Sequence, residues 1–273
     1  MRVVILSSSL YSETACAMAA GMAEAGHVPV GALSLRTLNY QTLVRKIGQW
    51  GIANAARYAR RKLIGSNTAP AALHNPYLAP FLTNRGRLLK NLRVVGRLYE
   101  FPVGTCSNQN SSRAISQLRQ WSPDAIVFAG GNILRQGVLV LPKLGVINIH
   151  LGFLPEIRGM SSPEWSLLQG VPVGITIHYM DSGIDTGRIL LRREFPDTAL
   201  CRSLEDLRNR LIAFGVRQLI EVLSDLDRST ISPHPQSQLD QDNQFFVMHE
   251  RLRVVAAERL TASPTPAVGA EVA

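Results

Sequence analysis

Residues 1–35 have the sequence MRVVILSSSLYSETACAMAAGMAEAGHVPVGALSL, in which strand, turn and helix signals alternate. The apolar run at residues 3–6 predicts a buried strand, and the small residues from about 12 to 25 predict a helix. Gly26 suits the position just after a helix, and residues 28–35 predict a second strand. A strand–helix–strand start of this kind is typical of a parallel α/β sheet.

The remaining chain continues the alternation of strands and helices. We predict strands at residues 124–129, 146–150, 174–180 and 188–195, and helices at 41–64, 112–121, 136–141, 163–169 and 203–226. Weaker signals indicate a strand at 245–248, a helix at 251–260, an irregular segment at 66–83, and either state at 88–98. These elements together predict an α/β, Rossmann-like fold with a mostly parallel twisted sheet flanked by helices.

Composition excludes several classes of protein. The chain has 273 residues, of which 46% are apolar and 18% charged, so global disorder is excluded. Its longest apolar runs are far shorter than the roughly 20 residues needed to span a bilayer, and no apolar run fits a signal peptide. The three cysteines, Cys16, Cys106 and Cys201, are widely scattered, which argues against a disulfide framework and favours the cytoplasm.

The positive charge is concentrated in one stretch of the chain. The formal net charge is +9, and eleven Arg and Lys residues lie between Tyr40 and Glu100, where Glu100 is the only acidic residue. Such a stretch could attract a phosphate-bearing substrate, RNA or an anionic membrane surface. A solvated basic face without a partner explains the same pattern equally well.

The serine-rich turn after the first strand gives one candidate substrate site. Ser8 and Ser9 precede a predicted helix, and helix N-termini attract anions. The turn lacks the glycines of a dinucleotide-binding fingerprint, so a nicotinamide or flavin dinucleotide is not expected.

Three polar residues further along the chain suggest acyl transfer to an amine. Asn148 and His150 are two residues apart on a predicted strand and therefore point to the same face, while Asp185 lies in a glycine-flanked loop. An amide and an imidazolium can donate hydrogen bonds to the oxyanion of a tetrahedral intermediate. A carboxylate can hold the imidazole, raise its pKa and relay a proton through water. Residue types alone leave open that the histidine is structural and the aspartate forms a turn.

Two longer motifs contain these residues. Residues 141–159, LPKLGVINIHLGFLPEIRG, and residues 174–190, GITIHYMDSGIDTGRIL, resemble the signatures of formyltransferases that use 10-formyltetrahydrofolate. That family includes methionyl-tRNA, glycinamide ribonucleotide and amino-sugar N-formyltransferases. Both motifs occur in the family's order and spacing, and the resemblance covers about residues 121–196.

The resemblance implies roles for individual residues. Asn148, His150 and Asp185 match the family's catalytic residues, and no metal is implied. The walls of the pteridine pocket match two short stretches, whose residues are Gly131, Asn132, Ile133 and Leu134, and Asp181, Ser182, Gly183 and Ile184. The resemblance also implies 10-formyltetrahydrofolate as co-substrate. Arg158 and His178 are further candidate substrate contacts, and His178 could instead support the catalytic residues or simply pack within its strand.

The sequence departs from the tRNA enzyme of this family in three places. Gly152 replaces a serine, as in members that act on small amines, and residues 38–98 form a longer, basic insertion. Fewer than fifty residues follow Leu226, too few for the tRNA enzyme's C-terminal barrel. We therefore expect a catalytic domain at 1–230, a short extension at 231–260 and a disordered tail at 261–273.

The expected function is N-formylation of a small amine, such as a nucleotide-linked amino sugar. A methionyl-tRNA formyltransferase with altered tRNA recognition is one alternative, and a non-catalytic RNA- or membrane-binding scaffold is another. A formyltetrahydrofolate hydrolase is a third, although the first strand begins at Arg2 and leaves no room for the regulatory domain those enzymes carry. A homodimer is also compatible with the late elements at 245–260.

Overall fold

The computed structural model describes residues 1–36, 73–236 and 243–262. The helix predicted at 41–64 and the tail beyond residue 262 lie outside the described residues. The chain divides into two compact units, Met1–Ile147 and Asn148–Ala273. The predicted boundaries of the catalytic domain, extension and tail stay predictions.

The first unit contains most of the parallel strands. Its strands are β1 (Arg2–Ser7), β2 (Val28–Leu35), β3 (Thr83–Asn84), β4 (Arg87–Leu88), β5 (Val103–Cys106), β6 (Ala125–Ala129) and the start of β7 (Gly145–His150). Its helices are α1 (Glu13–Glu24), α2 (Ala79–Leu82), α3 (Leu92–Leu98), α4 (Ser112–Trp121) and α5 (Gln136–Leu139), with a 3₁₀ turn at Pro76–Leu78.

Strand β1 lies at the centre of this unit. It pairs in parallel with β2 on one side and β6 on the other, and β2 pairs in parallel with β5. Residues 3–6 are completely buried, which explains their unbroken apolar run, because a central parallel strand is covered on both faces. The hydroxyl of Ser12 accepts a hydrogen bond from the amide of Ala15 and begins α1 as predicted.

The second unit contains the end of β7 and the later elements of the chain. These are β8 (Arg158–Gly159), α6 (Ser162–Gln169), β9 (Gly174–Tyr179), β10 (Ile189–Glu194), a 3₁₀ turn at Thr198–Leu200, α7 (Leu204–Asp227), β11 (Gln244–Phe245) and α8 (Glu250–Ala262). Strand β10 is antiparallel to β9, and β8 pairs with β11 in parallel. The strand order β10-β9-β7-β6-β1-β2-β5 confirms the predicted mostly parallel α/β fold.

The structure differs from the sequence prediction at several short elements. Residues 79–82 are helical rather than irregular, and the ambiguous segment 88–98 forms α3, because the Asn91 side chain accepts the amide of Arg93 and caps the helix. The late strand is only Gln244–Phe245, shorter than the predicted 245–248. Helix α8 extends to residue 262, so the first two residues of the predicted tail are helical.

Part of the basic stretch falls within the described residues. Four of its arginines, Arg85, Arg87, Arg93 and Arg97, are exposed, and Lys90 is half-buried. The cations at positions 45–62 lie outside the described residues. Among the helices that are described, none is long and apolar enough to cross a membrane.

A buried carboxylate joins three helices of the second unit. Glu164 on α6 is completely buried and accepts two hydrogen bonds from Arg208 on α7, at 2.8 Å to Nε and 2.5 Å to Nη2. The Nε atom of Arg253 on α8 lies 3.9 Å from the same carboxylate. Because an uncompensated buried charge is costly, this two-pronged pair ties α6 to α7.

We expect Arg208→Ala to lower the free energy of unfolding by about 3 kcal/mol, because it leaves Glu164 buried with a more distant cation. Arg228→Ala is the matched control, since Arg228 forms an exposed pair with Asp225 on the same helix. Loss of such a surface pair costs less than about 1 kcal/mol. Urea denaturation of both variants measures these changes, and equal losses in the free energy of unfolding would contradict the role given to Glu164.

Candidate active site

The end of β7 places two predicted catalytic side chains on one face. Asn148 and His150 point to the same side, and Ile149 between them points to the other, where α7 packs closely enough that a Cβ on Gly215 would lie 2.7 Å from the Ile149 side chain. His150 is 5% exposed and Asn148 is half-buried. The strand therefore presents an amide and an imidazole side by side.

The loop after β9 brings Asp185 to these residues. Its Oδ2 atom accepts the backbone N–H of Gly159 at 2.9 Å and lies 3.4 Å from Nδ1 of His150. Its Oδ1 atom lies 3.6 Å from Nε2 of His178. The structure thus brings Asn148, His150 and Asp185 together, as their positions in the two motifs predict.

His178 connects two of the predicted catalytic residues. Its Nδ1 lies 2.8 Å from the carbonyl of Tyr179, so this nitrogen carries the proton, and its Nε2 lies 3.2 Å from the amide nitrogen of Asn148. One N–H of the Asn148 amide is therefore directed to His178 and the other is left for a further acceptor. With only 1% of His178 exposed, a supporting role is favoured over the predicted substrate contact.

The two acid–base groups have shifted pKa values. Burial on its own raises the pKa of Asp185, but its contacts with His178, His150 and the Gly159 amide outweigh burial and lower this pKa to about 2. Burial lowers the pKa of His150 below its usual value, and the Asp185 charge only partly opposes this. The carboxylate thus raises the His150 pKa, as expected from the sequence, but burial has the larger effect.

The second nitrogen of His150 is also held. Nε2 lies 2.7 Å from the carbonyl of Ile157, which can only accept, so the neutral ring carries its proton there. A Cβ at Gly152 would lie 2.9 Å from the Ser162 side chain and 3.1 Å from this nitrogen. The glycine that replaces the family's serine thus leaves room for the ring in this chain.

In the first unit, two side chains that the sequence did not single out hold the predicted donor-binding stretch 131–134. Gln109 is completely buried: its side-chain oxygen accepts the backbone amide of Asn132 at 2.9 Å, and its backbone amide donates to the side-chain oxygen of Asn132 at 3.1 Å. Asn110 accepts the amide of Arg135 and donates to the carbonyl of Ile133. A Cβ on Gly131 would lie 1.9 Å from the Gln109 side chain, so only glycine fits there.

Among the predicted donor-binding residues, some side chains stabilise the backbone turn by hydrogen bonds and others are exposed. Asp181 accepts hydrogen bonds from the amide of Gly183 and the hydroxyl of Thr186, which fixes the loop before Asp185. Ile133 and Ile184 are 82% and 45% exposed, leaving apolar surface free for an apolar ligand. The assignment of these two stretches to the pteridine pocket stays a prediction.

The two candidate serines occupy a turn held by its own hydrogen bonds. The Ser7 hydroxyl donates to the carbonyl of Ser9, and the Ser9 hydroxyl accepts the amide of Tyr11. Ser8 adjoins Gly130, where an added Cβ would lie 3.4 Å from its hydroxyl. Among the described residues, no group of histidine, cysteine or acidic side chains suits a metal ion.

Comparison with known proteins places the chain in a family. Residues 85–223 match the formyl transferase family, and this match covers just over half of the chain. The chain therefore belongs to the formyl transferase family. The match begins at residue 85, so the last part of the predicted insertion, 85–98, lies within the matched region.

Its relatives include methionyl-tRNA formyltransferases. That of Trichormus variabilis is 38% identical over 151 residues, 54% of this chain and 44% of the relative. That of Microcystis aeruginosa is 40% identical over 136 residues, 49% of this chain and 42% of the relative. The aligned part is thus less than half of each relative.

Solved structures share the fold at low sequence identity. A sugar N-formyltransferase from Shewanella sp FDAARGOS_354 has a TM-score of 0.55 and 17% identity, over 95% of this chain and 87% of that one. Glycinamide ribonucleotide transformylase 1 from Symbiobacterium toebii has a TM-score of 0.53 and 18% identity, over 91% and 94% of the two chains.

We expect Asp185→Asn to remove a pH-dependent part of the stability. Because the folded pKa of about 2 lies below the unfolded value, the ionised carboxylate stabilises the fold above about pH 4, and this contribution disappears as pH falls toward 2. The free energy of unfolding of wild type should exceed that of the variant by about 2 kcal/mol at pH 6, and this difference should shrink below pH 4. Urea denaturation across this range measures it.

The exposed Asp197 provides the control for this series. Asp197→Asn should change the free energy of unfolding at pH 6 much less than Asp185→Asn does. A difference between wild type and Asp185→Asn that does not depend on pH would show that the carboxylate contributes no ionic stabilisation.

Proposed function

We propose that this protein transfers a formyl group from 10-formyltetrahydrofolate to the amine of a small molecule. The observation that carries the proposal is the cluster of Asn148, His150 and Asp185, in a chain that belongs to the formyl transferase family. The cluster supplies a hydrogen-bond donor for an oxyanion, a buried imidazole and an ionised carboxylate, which are the groups that acyl transfer to an amine requires.

Asn148 stabilises the charge that develops on the formyl oxygen. When the amine nitrogen attacks the formyl carbon, the carbonyl oxygen becomes an oxyanion. The N–H of Asn148 that is not directed to His178 donates to this oxygen, and His178 fixes the orientation of the amide. Because the amide is already held, little reorganisation is needed as the charge forms.

His150 carries the proton from the amine to the leaving group. In the free protein its pKa is lowered, so the ring is neutral near pH 7 and Nδ1 has a lone pair. This nitrogen accepts the proton of the attacking amine, directly or through water, and Asp185 at 3.4 Å stabilises the imidazolium. The same proton then passes to the folate nitrogen as its bond to the formyl carbon breaks.

The remaining predicted residues have proposed binding roles. Donor binding is assigned to the stretches 131–134 and 181–184, and Ser8, Ser9 and Arg158 to the acceptor or its phosphate. The exposed Ile133 and Ile184 and the clamped backbone beside Gln109 support the donor assignment. The three cysteines are unpaired and buried, which supports a reducing compartment such as the cytoplasm.

Two acceptors have specific support. Gly152 beside His150 supports a small amine, such as a nucleotide-linked amino sugar, because the resemblance associates this glycine with small-amine enzymes. Methionyl-tRNA is the second candidate, because relatives at 38% and 40% identity are methionyl-tRNA formyltransferases. In both cases the chemistry at Asn148, His150 and Asp185 is the same.

A formyl-transfer assay tests the proposal. Formation of tetrahydrofolate from 10-formyltetrahydrofolate is measured with nucleotide amino sugars, hydroxyornithine, glycinamide ribonucleotide and methionyl-tRNA as acceptors. Turnover with a small amine supports the first acceptor, and turnover with tRNA alone supports the second. Formate release without an amine, or the absence of any turnover, would contradict the proposal.

We expect Asn148→Ala to lower turnover about 10²- to 10³-fold, because it removes an oxyanion donor. His150→Asn should lower turnover by a similar factor, because asparagine cannot carry the proton. The control is His249→Asn, since the His249 side chain is exposed and accepts the backbone amide of Arg251. Steady-state kinetics with the active acceptor measures all three, and full activity in either of the first two variants would overturn the assigned roles.

Turnover should depend on pH through His150. Because the His150 pKa is lowered from its ordinary value of 6.5, the ring is neutral and can accept a proton at neutral pH. The ring loses this ability when the pH falls below the lowered pKa. Turnover should therefore decline on the acid side, measured under saturating donor and acceptor. A rate that does not decline at any acid pH at which the protein stays folded would exclude proton transfer by this residue.

A further inference from the structure

The loop that carries Asp185 is held by a residue beyond the family match. Gln236 donates from its amide nitrogen to the carbonyl of Asp185 at 2.9 Å and to the carbonyl of Gly187 at 2.7 Å. Its oxygen accepts the guanidinium of Arg158 at 3.0 Å. One amide group thus bonds to the loop at 185–187 and to strand β8.

The segment around Gln236 is itself fixed to the sheet. His234, two residues earlier, forms a pair of backbone hydrogen bonds with Ile189 of β10, each 2.8 Å long. This bridge sets the position of Gln236 relative to the loop, which immediately precedes β10. The backbone near Gln236 is therefore positioned by this bridge as well as by the hydrogen bonds of the Gln236 side chain to the loop.

The other partner of Gln236 leads to the opposite side of the same aspartate. Arg158 is followed by Gly159, whose amide donates to the Asp185 carboxylate. Gly159 has a φ of 93° and a Cβ there would lie 2.2 Å from the carbonyl of Phe245, so it is confined to glycine by both conformation and packing. Gln236 thus contacts the segments that hold both the main chain and the side chain of Asp185.

Asp185 needs such support because of its backbone conformation. Its φ is 54°, in the left-handed region that non-glycine residues adopt only when their surroundings fix them. The carbonyls at 185 and 187 face the Gln236 amide, and two hydrogen bonds from one planar group restrict both peptide planes at once. Without them, the carboxylate has more freedom to move from His150.

We propose that Gln236 is a positioning residue that sets the distance between the Asp185 carboxylate and the imidazole of His150. The proposal rests on the function proposed above, since it assigns Gln236 to the same reaction. The neutral amide of Gln236 is neither a nucleophile nor an acid, so Gln236 acts only through the loop. Its loss should weaken catalysis while leaving the binding of donor and acceptor nearly unchanged.

The first test is kinetic. Gln236→Leu keeps a similar volume and no charge but cannot bond to the two carbonyls or to Arg158. We expect kcat to fall about tenfold to a hundredfold, with KM for both substrates changed less than about twofold. Gln236→Asn, which keeps the amide on a shorter side chain, should retain more activity. Gln169→Leu, on the exposed end of α6, is the matched control and should resemble wild type.

The second test needs no substrate. Burial lowers the pKa of His150 most, Asp185 and the carbonyl of Ile157 raise it, and His178 lowers it. The chain has six histidines, so the ring signals of His150 can be assigned in a nuclear magnetic resonance titration by their absence in His150→Asn. In Gln236→Leu the His150 midpoint should move from the wild-type value toward that of Asp185→Asn. A merely destabilising change would leave the midpoint of the folded protein in place.

The two tests separate the failure of this inference from failure of the proposed function. A shifted midpoint without turnover on any acceptor would support the positioning role and contradict the formyl-transfer proposal. Wild-type kcat and an unchanged midpoint in Gln236→Leu would overturn the positioning role and leave formyl transfer standing. Circular dichroism melting verifies that the variant is folded. If Gln236→Leu does not fold, the titration is made on Gln236→Asn, in which the His150 midpoint should shift in the same direction by a smaller amount.

Discussion

The charge of Asp185 is the constraint on which the candidate active site depends. A carboxylate that is 16% exposed needs partners, and this one obtains them from two histidines and a backbone amide. Those partners come from the ends of two strands and from the loop that ends in Gly159. All of these segments must therefore take their positions together, and the left-handed backbone at Asp185 is the conformation that lets a single side chain meet them.

A second buried carboxylate plays a different part in the same unit. Glu164 is paired with arginine and lies between helices, where its charge is balanced and removed from the reacting groups. Asp185 faces two imidazoles, whose charge can change during a reaction, and its carboxylate also accepts a backbone amide. A fixed cation makes one acid structural, and titratable partners make the other suitable for proton transfer.

The sequence predicted those features that depend on neighbours along the chain. The two-residue spacing of Asn148 and His150 was enough to put both on one face, and the cap at Ser12 was enough to start α1. Contacts between distant residues were not predictable, because no local pattern records them: Gln236 bonds to Asp185 across 51 positions and Gln109 bonds to Asn132 across 23. Burial of His150 is also such a property, and its lowering effect on the pKa of the imidazole could not be predicted from local sequence.

The reciprocal bonds between Gln109 and Asn132 have a consequence for how the sequence can evolve. Each side chain satisfies the backbone amide of the other residue, so the change of either one leaves a polar group of the other without its partner. Gly131 between them has no room for a side chain while Gln109 is present. These three positions therefore act as one coupled unit, in which the energetic effect of a substitution at one position depends on which residues occupy the other two.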